Sequence, residues 1–276
     1  MNEVYYFSHH DTQRDITEVL KENLLYAMHF GGVKLDAAYL LARSMETCKA
    51  EKQKIDGYGM KIIVDLSREM NNYPGMTWLS ELEDSYERTV HLYHQLFEKM
   101  SVMGIDKIII GTHMRPEMWR KDFLRTPEES MVEGMSHFIQ LASEYGITVL
   151  LQNSSHRFYP SRLLARPVEV LAVYRVLRAK YNNVKLAANL ATGESFETLI
   201  TSFSNDMGAC IFASSGADDR EYPVAFYKVR QEYIPIIQPD IVRIFDGCYQ
   251  HIDELLFDLK LVEQKDNTIF GGKIKK

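Results

Sequence analysis

Eight short apolar runs recur along this chain, and a helical pattern follows nearly every one. They occupy residues 4–8, 33–35, 61–64, 107–110, 148–151, 184–188, 209–213 and 241–245. Polar groups stand at or just past their ends: His9 and His10, Asp36, Asp65, His113, Gln152 and Asn153, Asn189, Ser214 and Ser215, and Asp246. Strands alternating with helices build a parallel sheet. Eight such units in 276 residues point to an α/β fold, a closed (β/α)8 TIM barrel forming a single domain over residues 1–276. Barrels of this kind place their chemistry at the C-terminal ends of the strands. The polar residues above are therefore the expected roster of the site, before any motif is considered.

The helices between the runs are marked by their ends. Over residues 15–30, Ile16, Val19, Leu20, Asn23, Leu24 and Ala27 share one face at helical spacing, and Gly31-Gly32 supplies a stop. A longer pattern covers residues 80–103 and stops at Gly104. Its two histidines, His91 and His94, read as surface or packing residues. Thr126 is placed to cap a helix with Pro127 in its first turn, and that helix runs to Tyr145-Gly146. Another starts at Pro167 and ends near residues 181–183.

Composition narrows the function classes. A formal charge of −6 disfavours a protein built to grip phosphate backbones, so no nucleic-acid partner is expected. No apolar stretch is long enough for a membrane span, and the first residues lack the pattern of a signal peptide. Cys48, Cys210 and Cys248 are odd in number and without metal-finger spacing, which suits reduced thiols in the cytoplasm.

Three connections after strand ends are longer than packing requires, over residues 67–77, 114–125 and 154–166. In or beside them stand Trp78, Trp119, Phe158 and Tyr159, with Arg68, Arg115, Arg120, Arg157 and Arg162. Aromatic faces beside arginines suit a sugar, or a sugar bearing an anionic group.

The middle of the chain carries a further pattern. Residues 104–113 read GIDKIIIGTH, residues 142–153 read ASEYGITVLLQN, and residues 183–192 read NVKLAANLAT. This resembles the xylose-isomerase-like barrels, which include sugar-phosphate isomerases and epimerases and the abasic-site endonucleases. The likeness spans most of the chain and is clearest over residues 58–192. It implies a histidine ending strand four, Glu-Asn ending strand five, and Asp followed by His at strand six. It also implies a histidine at strand seven and a glutamate at strand eight. His113 and Asn153 match that pattern. Gln152 stands for the glutamate, Asn189 for the aspartate, Thr192 for its histidine, Ser214 or Ser215 for the next histidine, and Asp246 for the last glutamate.

The replacements remove ligands that a divalent cation needs, because amides lack the charge of carboxylates and hydroxyls replace nitrogen donors. No cofactor is expected at the family's usual metal position. A different cluster drawn from His9, His10, Asp36, Asp65, His113 and Asp246 stays open, with His9, Asp65 and His113 as its best trio. The resemblance and the roster together suggest an isomerase or epimerase acting on a carbohydrate or polyhydroxy acid. Asp65, Asp246 and His113 are the catalytic candidates. His9, Asp36, Trp119, Gln152, Asn153, Asn189 and Ser214 are the substrate-binding candidates; only one of His9 and His10 can face the pocket, since neighbours on a strand point oppositely. The competing reading is a non-catalytic sugar-binding or regulatory barrel.

Overall fold

The computed structural model of the protein describes residues 4–22, 30–67, 76–153, 162–164, 166–192, 194–215, 221–226, 231–247, 249 and 251–270. In chain order the strands are β1 (Tyr5–His9), β2 (Gly32–Asp36), β3 (Lys61–Asp65), β4 (Lys107–Ile110), β5 (Thr148–Gln152), β6 (Val184–Asn189) and β7 (Met207–Phe212). A short antiparallel ribbon, β8 (Ser214–Ser215) with β9 (Glu221–Tyr222), precedes β10 (Val242–Phe245). Strands β1 to β7 and β10 close in the order β1-β10-β7-β6-β5-β4-β3-β2, every pair parallel. This is the (β/α)8 barrel expected from the eight apolar runs.

Helices α1 (Ile16–Glu22), α2 (Ala37–Leu41), α3 (Met45–Gly57), α4 (Glu83–Val102), α5 (Pro127–Glu144), α6 (Pro167–Lys180), α7 (Glu194–Ser202) and α8 (Ile252–Phe270) lie between and after the strands. Strand side chains alternate between two apolar layers. Tyr6, Ile63, Ile109, Leu150, Ala187, Ala209, Ile211 and Ile244 fill the barrel. Phe7, Leu35, Val64, Ile110, Leu151 and Phe245 face outward into a larger core with the helices. Cys48 and Cys210 are buried free thiols, while Cys248 falls outside the described residues.

The helix ends follow local chemistry. Thr126 forms a capping box with Glu129, its hydroxyl accepting from the Glu129 amide at 3.2 Å. Gly104 and Gly146 take φ of +66° and +70°, the left-handed backbone that ends α4 and α5. The approach of the first helix to Gly31-Gly32 lies outside the described residues. Gly32 opens β2, and a Cβ there would lie 2.3 Å from Tyr6 Cε2 and 2.6 Å from the Lys61 carbonyl oxygen. Close packing of the barrel interior is what requires that glycine. The described part of the first helix ends at Glu22; Asn23, Leu24 and Ala27 lie outside the described residues.

Trp78 does not belong to an aromatic platform at the mouth. It is fully buried, donates Nε1–H to the Gly111 carbonyl at 3.0 Å, and packs edge-on against Phe138 of α5. Its own carbonyl comes so close to α5 that a Cβ on Gly134 would lie 1.9 Å from it. Alanine is the better helix former by up to about 1 kcal/mol, yet the clash with fixed backbone is the larger effect. Gly134→Ala is expected to destabilise the barrel by about 1–3 kcal/mol, as overpacked cores do. Urea unfolding measures the change; a stabilised variant would mean that α5 and the Trp78 segment are not in contact.

Candidate functional site

Period-two alternation carries Ser8, Lys34, Asp36 and Asp65 inward at the C-terminal half of the barrel, and Asp246 follows β10 in the same phase. Asp36 and Asp65 are direct partners across β2 and β3. Two carboxylates placed side by side repel unless a cation lies between them. Lys34 supplies that cation to Asp65 and to a third acid, Asp246, while Asp36 faces His10. The Lys34 Nζ donates to Asp65 Oδ2 at 2.8 Å and to Asp246 Oδ2 at 2.9 Å, and its side chain is 0% exposed. Asp65 Oδ1 also accepts from the Ser67 amide at 2.8 Å and the Ser67 hydroxyl at 2.6 Å.

His10, just past β1, completes the cluster. Its Nδ1 lies 3.1 Å from both Asp36 oxygens, and its Nε2 lies 2.9 Å from Asp246 Oδ1. Its side chain is 28% exposed, the most open group of the set. Burial disfavours its charged form, but the Asp246 carboxylate paired with its Nε2 and the Asp36 carboxylate that accepts from its Nδ1 outweigh burial and raise its pKa above 6.5. One ammonium and one imidazole thus meet three carboxylates at the mouth.

His9 points the other way. It packs edge-on against Tyr39 of α2, with Nε2 3.3 Å from the Arg14 carbonyl oxygen, and burial lowers its pKa. His113 binds locally: Nδ1 lies 2.6 Å from the Met114 carbonyl oxygen, and burial lowers its pKa too. The trio of His9, Asp65 and His113 is therefore not assembled. Asp65 and Asp246 do come together, but through Lys34.

The ends of β5 and β6 carry amides instead, and beside the end of β4 Arg162 donates to the Thr112 carbonyl at 3.4 Å. Asn153 is buried and its Oδ1 accepts from the Asn189 amide at 2.9 Å, while Asn189 Oδ1 accepts from the Ala191 amide at 2.9 Å. Both side chains are thereby engaged in shaping the turn after β6. Gln152 differs: its Oε1 is buried without a hydrogen-bond partner, and so is the Ser8 hydroxyl. Trp119 is tied into its own loop, donating to the Arg125 carbonyl at 2.9 Å and packing on Phe123. Arg115 pairs with Glu128 and Arg120 with Asp122 on the surface. The Ser214 and Thr192 side chains, Arg68, Arg157, Phe158 and Tyr159 fall outside what is described.

No family model matches the sequence, and no curated protein matches it. Solved structures do match in shape. A D-tagatose 3-epimerase-like protein superposes with a TM-score of 0.73 at 15% identity, covering 96% of this chain and 98% of its own. D-psicose 3-epimerase, solved with D-fructose, gives 0.66 at 12% identity over 97% and 99%. IolI, solved with a bound zinc atom, gives 0.60 at 11% identity over 98% and 99%. The chain has the xylose-isomerase-like barrel fold. Among the described residues, no helix is long and apolar enough to cross a membrane.

Within that xylose-isomerase-like fold, sequence reading missed Lys34 and underweighted His10. Lys34 lies inside the run at residues 33–35, which reads as buried strand. The available signal was period two: Lys34 shares a face with Asp36, so a charged pair points to one side of an otherwise apolar strand.

The three imidazoles should titrate on opposite sides of 6.5. His10 is raised, so its contribution to stability is complete below 6.5 and is lost as pH rises through its folded pKa. His9 and His113 are lowered, so their cost appears as pH falls through 6.5 toward their folded values. Proton NMR titration of the ring signals checks this. Asp36→Asn should move the His10 midpoint down and leave His113 in place; an unmoved His10 would break the assigned contact.

Proposed function

We infer that this barrel binds a carbohydrate or sugar acid over its C-terminal mouth and moves a proton on the carbon next to the ligand's carbonyl, as an epimerase or isomerase does. His10 carries the reading. A proton carrier must be reachable by ligand and fixed in orientation. His10 is 28% exposed and has a carboxylate at each ring nitrogen. Its raised pKa favours the protonated form, which can give a proton to a carbonyl oxygen. Asp36, with a side chain 10% exposed against 2% for Asp65 and 5% for Asp246, is the more accessible carboxylate to take the proton from carbon. Negative charge would build on the carbonyl oxygen in the field of Lys34 as the proton leaves carbon for Asp36, and the proton from His10 then gives a neutral enediol. Asp65 and Asp246 anchor Lys34 in this scheme. The buried acceptor of Gln152 and the Ser8 hydroxyl are suited to ligand hydroxyls, which would satisfy both.

A divalent cation, suggested by the zinc-bound neighbour, does not fit these residues. The Lys34 ammonium takes the space between Asp65 and Asp246. Gln152 and Asn189 offer neutral amides, and Asn189 Oδ1 is spent on the Ala191 amide. Among the described residues, no three of His, Cys, Asp and Glu converge in a metal-holding arrangement.

One observation favours the non-catalytic alternative. All three carboxylates are already engaged, Asp36 by His10, Asp65 by Lys34 and Ser67, and Asp246 by Lys34 and His10. A binder needs no base standing free.

Two measurements separate the readings. A panel of ketoses and sugar acids, read by thermal shift with and without chelator, should yield a ligand whose binding chelator leaves unchanged. Gln152→Leu should weaken it by about 1–3 kcal/mol, because a ligand hydroxyl loses a buried acceptor. The ligand is then held in D2O with the protein, and deuterium entering the carbon next to its carbonyl is followed by NMR. His10→Gln should slow that exchange by about 10²–10⁴-fold while the ligand still binds. Binding without any exchange in the parent protein would leave the sugar-binding alternative standing and end the enzymatic one.

A further inference from the structure

Three carboxylates and an imidazole rarely converge without a cation, because each carboxylate left unpaired in a water-poor site is costly. Here the cation is covalent. Lys34 rises from the middle of β2 to contact Asp65, which ends β3, and Asp246, which follows β10. Contacts of 2.8 and 2.9 Å to oxygens of two carboxylates from different strands, at 0% exposure, describe an ammonium seated at the focus of the site. His10 faces the second oxygen of Asp246 and Asp36, so the third acid is linked to that focus only through the ring.

We propose that the Lys34 ammonium is the resident cation of this barrel mouth, excluding any divalent ion from between Asp65 and Asp246, and that its removal opens that carboxylate pair to a cation from solution. The inference rests on the cluster alone and survives if the carbohydrate reading fails. Its physical content is a competition for one position. An ammonium brings one positive charge with no ligand to exchange. A divalent ion brings two, and needs oxygen or nitrogen donors at about 2.0–2.2 Å. While Lys34 is present, its charge and volume keep such an ion out. Without it, two carboxylates face a cavity, with Asp36 and an imidazole behind them, and the focus attracts cations.

The test uses Lys34→Ala in the full chain, with Lys34→Met as the variant that removes the charge but keeps most of the stem. Parent and variants are prepared free of metal and titrated with Mn2+ and Zn2+ by calorimetry and thermal shift. The expected result is saturable binding of about one ion to Lys34→Ala, at least about ten-fold tighter than to the parent and lost on adding Asp65→Asn. Methylammonium should raise the Tm of Lys34→Ala saturably and methanol should not, since charge at the focus, and not volume, is what was removed. A merely packing role would predict equal effects of the two. If Lys34→Ala does not fold unaided, refolding from urea is compared with and without Mn2+ or methylammonium, and recovery with either supports the proposal. It is overturned if the parent binds an ion through Asp65 and Asp246 with Lys34 in place. It is also overturned if Lys34→Ala, folded or refolding, responds to neither cation.

Discussion

A buried ammonium shared between two carboxylates sets the terms for this barrel. Lys34 belongs to β2, Asp65 ends β3 and Asp246 follows β10, so the contact reaches across β1 and ties together three strands of the closed sheet. Such a group contributes little net stability, because desolvating the charges offsets most of their attraction. Its effect is on specificity. A one-residue slip of β2 would turn Lys34 into the apolar layer beneath the helices and Leu35 into the mouth. An unpaired buried charge costs several kcal/mol, which forbids that register far more firmly than the packing of Val33 and Leu35 alone. The same interaction that seats the site therefore helps define the sheet carrying it.

The two sides of β1 show how one alternation divides structure from chemistry. Phe7 and His9 face the helices; His9 lies against Tyr39, whose hydroxyl bonds Glu51, itself paired with Arg43. That is a structural polar network between α2 and α3. Ser8 and His10 face the mouth instead. Adjacent histidines thus receive opposite pKa shifts. His9 meets burial with little compensation, while His10 meets carboxylates strong enough to reverse the same penalty.

The fold was legible because it rests on repetition. Eight apolar runs with intervening helical patterns can close in few ways, and local end signals such as the Thr126 capping box need no tertiary information. The site was legible only as a list of strand ends. Asp36, Asp65 and Asp246 were on that list, but what joins the last two is a lysine two residues inside a strand, and Asp36 is reached only through His10. The need for glycine at Gly32 was not legible, because its close approach to Tyr6 depends on the closed barrel. Trp78 and Trp119 were equally invisible in destination. Whether a loop aromatic faces ligand or folds beneath its own segment depends on partners such as Gly111 and Arg125 that lie distant in sequence or in a loop of no regular period.

Charge at the mouth is unevenly placed, and that asymmetry constrains how a ligand can lie. By resemblance, the acidic positions of this barrel type fall on strands five, six and eight. In this chain the fifth and sixth carry Gln152, Asn153 and Asn189, while the acids gather on β2, β3 and after β10 around Lys34. The β5 and β6 ends are therefore amide-bearing and hydrogen-bonding, with the Arg162 guanidinium beside β4, and the other side is acidic and closely self-paired. A polyol laid across the mouth would meet amide and hydroxyl groups at one end, where an acceptor such as Gln152 Oε1 remains unsatisfied. Its reactive carbon would fall at the other, beside the exposed edge of His10. On the reading proposed above, recognition and proton transfer are separated across the barrel axis. A substitution on the β5 side should then chiefly alter affinity, and one at His10 should chiefly alter turnover, because the two halves are joined through the ligand and not through each other.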